Sequence, residues 1–234
     1  MIQELNLIRN SSLSSLKDPD FLEDLIAKLG IYPDDEGSLD ALPEFLWSHY
    51  NQGLKIWQYP IQFCQLLIEM TKYKIRTYLE IGVAYGGSFI TIIEYLKRKN
   101  PDIKGIFIDP EPQGDLLKEY QKENATSVKY IQDFSHRLRK HIDFRSTSFD
   151  LVLIDGDHDA RWNDFQLIRN YAQIIAFTNI VHDRLPSNGQ VWERIKRTHK
   201  KEYEFKEFIV QYEEVVQRTG LRFNGIGLAI KNDA

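Results

Sequence analysis

The strongest constraint on the fold is an apolar run that ends abruptly in polar residues, Phe149-Asp-Leu-Val-Leu-Ile-Asp-Gly-Asp-His158. Its length and its branched side chains predict a buried strand of a parallel sheet. Open parallel sheets bind ligands beyond the carboxyl ends of their strands, so Asp155 and His158 are candidates for a functional site. Two more predicted strands end in the same way, one at Gly82 and one at Asp183.

Strand-like and helix-like segments alternate from residue 77 onward, which predicts an α/β fold, a doubly wound, mostly parallel seven-stranded sheet. The predicted strands span residues 77–81, 103–108, 128–131, 149–154, 178–181, 203–210 and 223–230. The last two lie too close together for a crossover helix and are expected to pair antiparallel at one edge. Helices are predicted at 88–99, 114–124, 135–141, 160–175 and 191–199.

The first third of the chain is predicted to be helical, so residues 1–74 are interpreted as an N-terminal helical cap on a domain spanning 75–234. Asp18 and Pro19 begin one helix, and Gly30 ends it. Further helices are expected around residues 45–50 and from Pro60. The segment 56–60 is a candidate lid over a bound ligand.

Composition narrows the range of partners. The chain has 234 residues, 42% hydrophobic and 27% charged, enough for one sizeable core. A formal net charge of -4 gives no general attraction to a polyanion, so no nucleic-acid partner is expected. No run approaches the roughly 18 apolar residues that span a bilayer, and no membrane partner is expected. The same lack of attraction to polyanions favours a small-molecule substrate. The single cysteine, Cys64, cannot form an intrachain disulfide, which favours a cytoplasmic location.

A glycine-containing loop follows the first predicted strand, in the sequence Glu80-Ile-Gly-Val-Ala-Tyr-Gly-Gly-Ser88. Its glycines allow the backbone to approach a ligand closely, but Glu80 stands where the dinucleotide fingerprint has its first glycine. A carboxylate there would repel a pyrophosphate and tolerate a cation. Asp109 ends the next strand, where an acid can accept hydrogen bonds from ribose hydroxyls. The alternative to a ligand-binding role is a purely structural one, in which the glycines form a turn that joins strand and helix and Asp109 belongs to a solvated Asp-Pro corner.

The segments 78–88, 107–110, 149–158 and 180–183 together resemble class I S-adenosylmethionine-dependent methyltransferases. Within that class they are most similar to the small-molecule O-methyltransferase branch that includes macrocin-type sugar methyltransferases and cephalosporin-hydroxylase-like proteins. The resemblance runs from residue 75 to the C-terminus. It implies that Asp109 binds the ribose of the cofactor and that Asp133 and Phe134 lie beside its adenine. The other cofactor-binding residues implied are Glu80, Gly82, Tyr85, Gly86, Ser88 and Asp155.

The acids and imidazoles at the strand ends predict a catalytic arrangement. Asp155 and Asp183 are expected to end neighbouring strands, where their oxygens could share one divalent cation, Mg or Mn, with an acceptor hydroxyl. His158 would take the proton from that hydroxyl as general base. The resemblance implies the same roles, with His182-Asp183 in place of a Glu-Asp pair found in some relatives. As a metal ligand, His182 would favour manganese, iron or zinc over magnesium.

The expected function is therefore methyl transfer from S-adenosylmethionine to a hydroxyl of a small molecule, either a sugar or a glycosylated metabolite. A nicotinamide-dependent oxidoreductase is a second interpretation, disfavoured by Glu80 and by the missing third glycine of the fingerprint. A non-catalytic nucleoside-binding module is a third. A homo-oligomer through the aromatic-rich N-terminal helices is left open.

Overall fold

A computed structural model describes residues 3–32 and 39–232. Its strands are β1 (Thr77–Ile81), β2 (Lys104–Asp109), β3 (Val128–Gln132), β4 (Phe149–Ile154), β5 (Ala172–Thr178), β6 (Tyr203–Phe208) and β7 (Ile226–Lys231). They form one seven-stranded sheet in the order β3-β2-β1-β4-β5-β7-β6. The first five strands are parallel, and β7 runs antiparallel to both β5 and β6. The predicted fold class and its antiparallel edge are confirmed.

The α-helices are α1 (Leu5–Asn10), α2 (Pro19–Leu29), α3 (Pro60–Met70), α4 (Gly87–Lys97), α5 (Asp115–Glu123), α6 (Arg161–Ile168), α7 (Pro186–His199) and α8 (Glu213–Thr219). Asp18 caps α2 as predicted, because its side chain accepts a hydrogen bond from the Phe21 backbone N–H at 2.9 Å. Residues Glu44–His49 and Ser135–Lys140 form 3₁₀ helices. Helix α8 was not predicted.

The fifth strand lies earlier in the chain than predicted. Helix α6 ends at Ile168, and β5 begins at Ala172, inside the predicted helix 160–175. A strand buried between two neighbours is apolar along its whole length, so its residues also satisfy helical spacing. Thr178 consequently ends the strand, and Asp183 lies five residues beyond it in the following loop.

The core has one layer on each face of the sheet. On one face α1, α2, α3 and α4 share a single apolar cluster with the strands, in which Leu22, Phe63 and Phe89 are fully buried. On the other face, Phe165 of α6 and Trp192 of α7 are buried against β5. The N-terminal helices therefore pack onto the sheet domain, while a domain boundary after residue 74 stays a prediction. None of the helices in the described ranges is both long and apolar enough to cross a bilayer.

Candidate active site

One cleft lies at the carboxyl ends of β1 and β4 and contains roughly 510 Å³ of space, its open mouth included. Its walls are the glycine loop, residues 82–88, together with Asp155 and His158 after β4 and Asn179 after β5. Because β1 lies between β2 and β4, the predicted acids at the ends of these three strands share one edge. The structure thus brings the glycine loop and His158 into one cavity.

The glycine loop is held close to its neighbours. Gly82 has a φ of 80°, and a Cβ there would lie 2.4 Å from the Cα of Gly156, so the loops after β1 and β4 approach this closely because residue 82 lacks a side chain. Asp109 fastens the loop, since its Oδ2 accepts hydrogen bonds from the backbone N–H groups of Val83 at 2.9 Å and Ala84 at 3.4 Å. The exposed backbone and the acid at the β2 end form a cradle suited to a nucleoside ligand.

Glu80 lies beneath the loop and does not line the cleft. Its side chain is 1% exposed, and Tyr78 donates a hydrogen bond to it. Burial raises the pKa of Glu80 well above its usual value, the hydrogen bond from Tyr78 opposes this, and the charges of Asp155 and Asp109 raise it further. The expected carboxylate is therefore present at this edge, but its protonated form is favoured.

Asp155 connects three parts of the molecule. Its carboxylate accepts hydrogen bonds from Gln58 Nε2 at 2.8 Å and from the Thr178 hydroxyl, and Arg161 Nη2 lies 3.4 Å away. Burial raises the pKa of Asp155, although the charge of Arg161 and the hydrogen bonds oppose that shift. Gln58 also accepts a hydrogen bond from Ser88, the second residue of α4. Asp155 thereby ties the N-terminal segment to the cleft.

His158 is half-buried and faces the cleft. Its Nδ1 lies 3.0 Å from Nδ2 of Asn188 at the start of α7. Burial lowers the pKa of His158 below 6.5, and the charge of Arg161 lowers it further. The surroundings of His158 therefore favour its neutral form, the form that a general base requires.

The structure does not bring together the three residues predicted to hold a metal, Asp155, His182 and Asp183. The Asp183 carboxylate accepts hydrogen bonds from Arg222, from its backbone N–H at 2.8 Å and from Nη2 at 2.9 Å. His182 is 4% exposed and packs edge-on against Phe223, and burial lowers its pKa to about 4. Both face a separate surface depression.

The reason is the earlier end of β5, which leaves His182 and Asp183 in a loop directed toward Arg222. Within residues 3–32 and 39–232, no group of three or more His, Cys, Asp or Glu side chains is placed to hold a metal ion. Asp155, His182 and Asp183 therefore do not fit the predicted shared cation.

Asp133 and Phe134 follow β3, at the same sheet edge but outside the lining of the cleft. Asp133 pairs with His141 Nε2 at 2.8 Å, and this hydrogen bond lowers the pKa of its carboxyl. The ring of Phe134 is 52% exposed. Their contact with adenine stays a prediction.

Lys55 and Asn179 line the cleft but were not predicted, whereas Trp57 lies in the candidate lid, residues 56–60. Trp57 and Lys55 line the cavity, and Lys55 Nζ lies 4.9 Å from the ring centroid of Tyr85. Lys55, Ala84 and Asn179 have positive φ angles of 54°, 44° and 59°. Non-glycine residues rarely adopt such angles, and they concentrate at functional sites. No local pattern marks Lys55 or Asn179.

Comparison with known proteins agrees with the fold. A family model described as a methyltransferase domain matches residues 79–191. Among solved structures, an O-methyltransferase from Bacillus cereus in complex with S-adenosylhomocysteine is similar at TM-score 0.57 and 13% identity, over 99% of this chain and 96% of that one. None of the curated proteins compared with this chain matches it.

Two further structures share the fold. The O-methyltransferase TomG from Streptomyces achromogenes, bound to S-adenosylmethionine, aligns at TM-score 0.57 and 16% identity over 77% of this chain and 82% of its own. The methyltransferase PaMTH1 from Podospora anserina, bound to S-adenosylhomocysteine, aligns at TM-score 0.53 and 16% identity over 75% and 80%. Residues 79–191 therefore match a methyltransferase domain, and the seven-stranded sheet shares the fold of these three methyltransferases.

Proposed function

We propose that the protein transfers a methyl group from S-adenosylmethionine to a hydroxyl of a small molecule, with His158 as the general base. The observation that carries the proposal is one cleft in which the glycine loop, the end of β4 and the imidazole of His158 meet. Positioning the acceptor oxygen against an already activated methyl group supplies most of the rate enhancement in such a reaction.

The donor set of the cleft suits S-adenosylmethionine. The residues proposed to contact its methionine part are Gly82, Tyr85, Gly86 and Ser88. Asp109 is proposed to accept hydrogen bonds from the ribose, beside its bonds to the loop N–H groups. Asp133 and Phe134 are proposed to flank the adenine. Asp155, which lines the cleft, is proposed to place a carboxylate near the positive sulfur.

The bound cofactor supplies a methyl group made electrophilic by the positive sulfur. Nε2 of His158 then accepts the proton of the acceptor hydroxyl as the oxygen–carbon bond forms and the carbon–sulfur bond breaks, its electron pair remaining on sulfur. Asp155 holds Gln58 and Thr178 in place beside this exchange. No step depends on a metal ion.

We further propose that the acceptor is a sugar or a glycosylated metabolite, that the protein acts in the cytoplasm, and that it forms a homo-oligomer. The single cysteine, Cys64, is buried and free, which is compatible with a reducing compartment. Phe45 and Trp47 in the N-terminal region are 60% and 39% exposed and supply apolar surface for self-association.

Calorimetry with S-adenosylhomocysteine tests the cofactor assignment. The wild-type protein is expected to bind this product, and Asp109→Ala is expected to weaken binding about tenfold or more, because a charge-assisted hydrogen bond is worth about 1.5–3 kcal/mol. Asp159→Ala, an exposed carboxylate near the same edge, serves as the matched control and should bind normally. Absence of binding to wild-type protein would refute the proposed function.

The acceptor class is tested by measuring S-adenosylhomocysteine release with a panel of hydroxylated sugars and glycosides. Turnover should require the hydroxyl, so the deoxy analogue of an active acceptor should give none. Turnover only with amines or thiols would contradict O-methylation while leaving the cofactor assignment intact.

A further inference from the structure

The side chain of Asn188 contacts the imidazole of His158. It lies in the first turn of α7 and is 3% exposed, with its carboxamide against the imidazole. The amide nitrogen Nδ2 lies 3.0 Å from His158 Nδ1. The amide oxygen Oδ1 is buried and has no hydrogen-bond partner within the part of the chain that the structure describes.

A neutral imidazole carries one N–H and one lone pair, and the partner of one nitrogen determines which nitrogen holds the proton. If the amide N–H faces Nδ1, then Nδ1 is the acceptor and Nε2 carries the proton. In that tautomer Nε2 has no lone pair to offer a substrate hydroxyl. The contact with Nδ2 therefore disables His158 as a base at Nε2.

Rotation of the carboxamide by half a turn exchanges its oxygen and nitrogen at nearly the same positions. The oxygen would then accept a hydrogen bond from Nδ1–H, and Nε2 would present its lone pair. The rotation gives Oδ1 a donor and places Nδ2 in the position that Oδ1 vacates. The neutral amide adds no charge to a site that already holds Asp155 and Arg161.

We propose that Asn188 is the positioning residue that selects the catalytic tautomer of His158, by accepting the Nδ1–H hydrogen bond through Oδ1. This rests on the proposed function, because the tautomer matters only if His158 is the base. In the methyl transfer the acceptor proton moves to Nε2, and the resulting imidazolium keeps its Nδ1–H bond to Asn188. The proton then leaves Nε2 for solvent.

The test is the tautomer itself, read from long-range proton–nitrogen correlation spectra of ¹⁵N-histidine-labelled protein saturated with S-adenosylhomocysteine. The chain has six histidines, and the His158 signals are assigned by their loss in His158→Gln. Wild-type protein is expected to show a protonated Nδ1 and an unprotonated Nε2 at neutral pH.

Two substitutions separate acceptor from donor. Asn188→Asp offers only acceptor oxygens and should keep the Nδ1–H form, whereas Asn188→Leu removes the hydrogen bond and should allow the Nε2–H form to populate. Once a methyl acceptor is known, the Asn188→Asp variant should retain kcat within a few-fold. The Asn188→Leu variant should lower kcat about 10- to 100-fold, with unchanged affinity for S-adenosylhomocysteine.

A wild-type spectrum with Nε2–H, or a Leu variant with the wild-type tautomer, would overturn the proposal. The wild-type spectrum needs no variant to fold, so the test stands even if Asn188→Leu is unstable. Failure of S-adenosylhomocysteine to bind in calorimetry would instead refute the proposed function. Binding of S-adenosylhomocysteine together with an Nε2–H imidazole would refute only the role of Asn188.

Discussion

At the scale of single residues, the carboxylates at and beneath the cleft form hydrogen bonds with other groups of the protein. Asp109 holds the glycine loop through two backbone N–H groups, and Asp155 joins Gln58 to Thr178. Glu80 differs because it is fully buried and faces Tyr78. The fold stabilises the protonated, neutral form of Glu80 relative to its ionised form.

Glu80→Gln is expected to raise the free energy of unfolding at neutral pH. The fold raises the pKa of Glu80, so its contribution to stability is fully present below the unfolded-state pKa of about 4.3 and is lost as pH rises through the folded-state pKa. Glutamine mimics the protonated form and has no such loss. Urea unfolding of the wild-type protein and of Glu80→Gln between pH 5 and 8 measures the difference in their free energies of unfolding, which should increase with pH. A difference independent of pH would contradict this assignment.

At the scale of elements, a buried ionic cluster joins α1, α4 and α5 behind the glycine loop. Glu94 of α4 is 3% exposed and accepts hydrogen bonds from Arg9 Nε at 2.7 Å, Lys97 Nζ at 2.8 Å and the Tyr120 hydroxyl at 2.6 Å. Burial alone would raise the pKa of Glu94, but these donors, Arg9 first, hold it below its usual value. The cluster fixes the helix whose first turn carries Ser88.

Glu94→Ala is expected to lower the free energy of unfolding at neutral pH by about 3 kcal/mol, because it leaves the buried Tyr120 hydroxyl and two partly buried cations without their shared anion. The contribution of Glu94 is present above its unfolded-state pKa and is lost as pH falls through the lowered folded-state pKa. Chemical unfolding at pH 7 and pH 4 measures both effects.

Asp24→Ala is the control for this experiment, since the pair of Asp24 with Lys28 is exposed to solvent. Its effect should stay within about 0.5 kcal/mol. An equal loss in both variants would show that the α4 cluster has no special role.

At the scale of the whole molecule, the N-terminal third takes part in the site. Residues 54–58 run across the carboxyl edge of the sheet, where Leu54 O would lie 2.3 Å from a Cβ at Gly87. Lys55 and Trp57 face the cleft, and Gln58 binds Asp155. The helical region is therefore part of the binding cleft as well as a cover for one face of the sheet.

Lys55→Met is expected to weaken S-adenosylhomocysteine binding about tenfold, or about 1.4 kcal/mol, through loss of an ammonium beside the glycine loop. Binding of methylthioadenosine, which lacks the amino-acid part, should be unchanged if Lys55 attracts the carboxylate. Calorimetry with both ligands measures this, with Lys28→Met as an exposed control. Equal weakening for both ligands would exclude a carboxylate contact.

Local sequence determined much of this protein. The apolar run ending at Asp155 and His158, the glycine loop after Glu80 and the acid at Asp109 predicted the sheet and one shared edge, and the structure places them there. These features are visible in sequence because a strand, a turn and a helix start each depend on neighbouring residues.

The position of β5 and the contacts between distant residues depend on the tertiary structure. The segment 172–178 is a strand because β4 and β7 pair with it on both sides, although its own spacing also fits a helix. That pairing places Asp183 against Arg222 and leaves Thr178 beside Asp155. Asn188 meets His158 across 30 positions of chain. Such contacts depend on free energy gained between distant segments, which no short stretch of residues encodes.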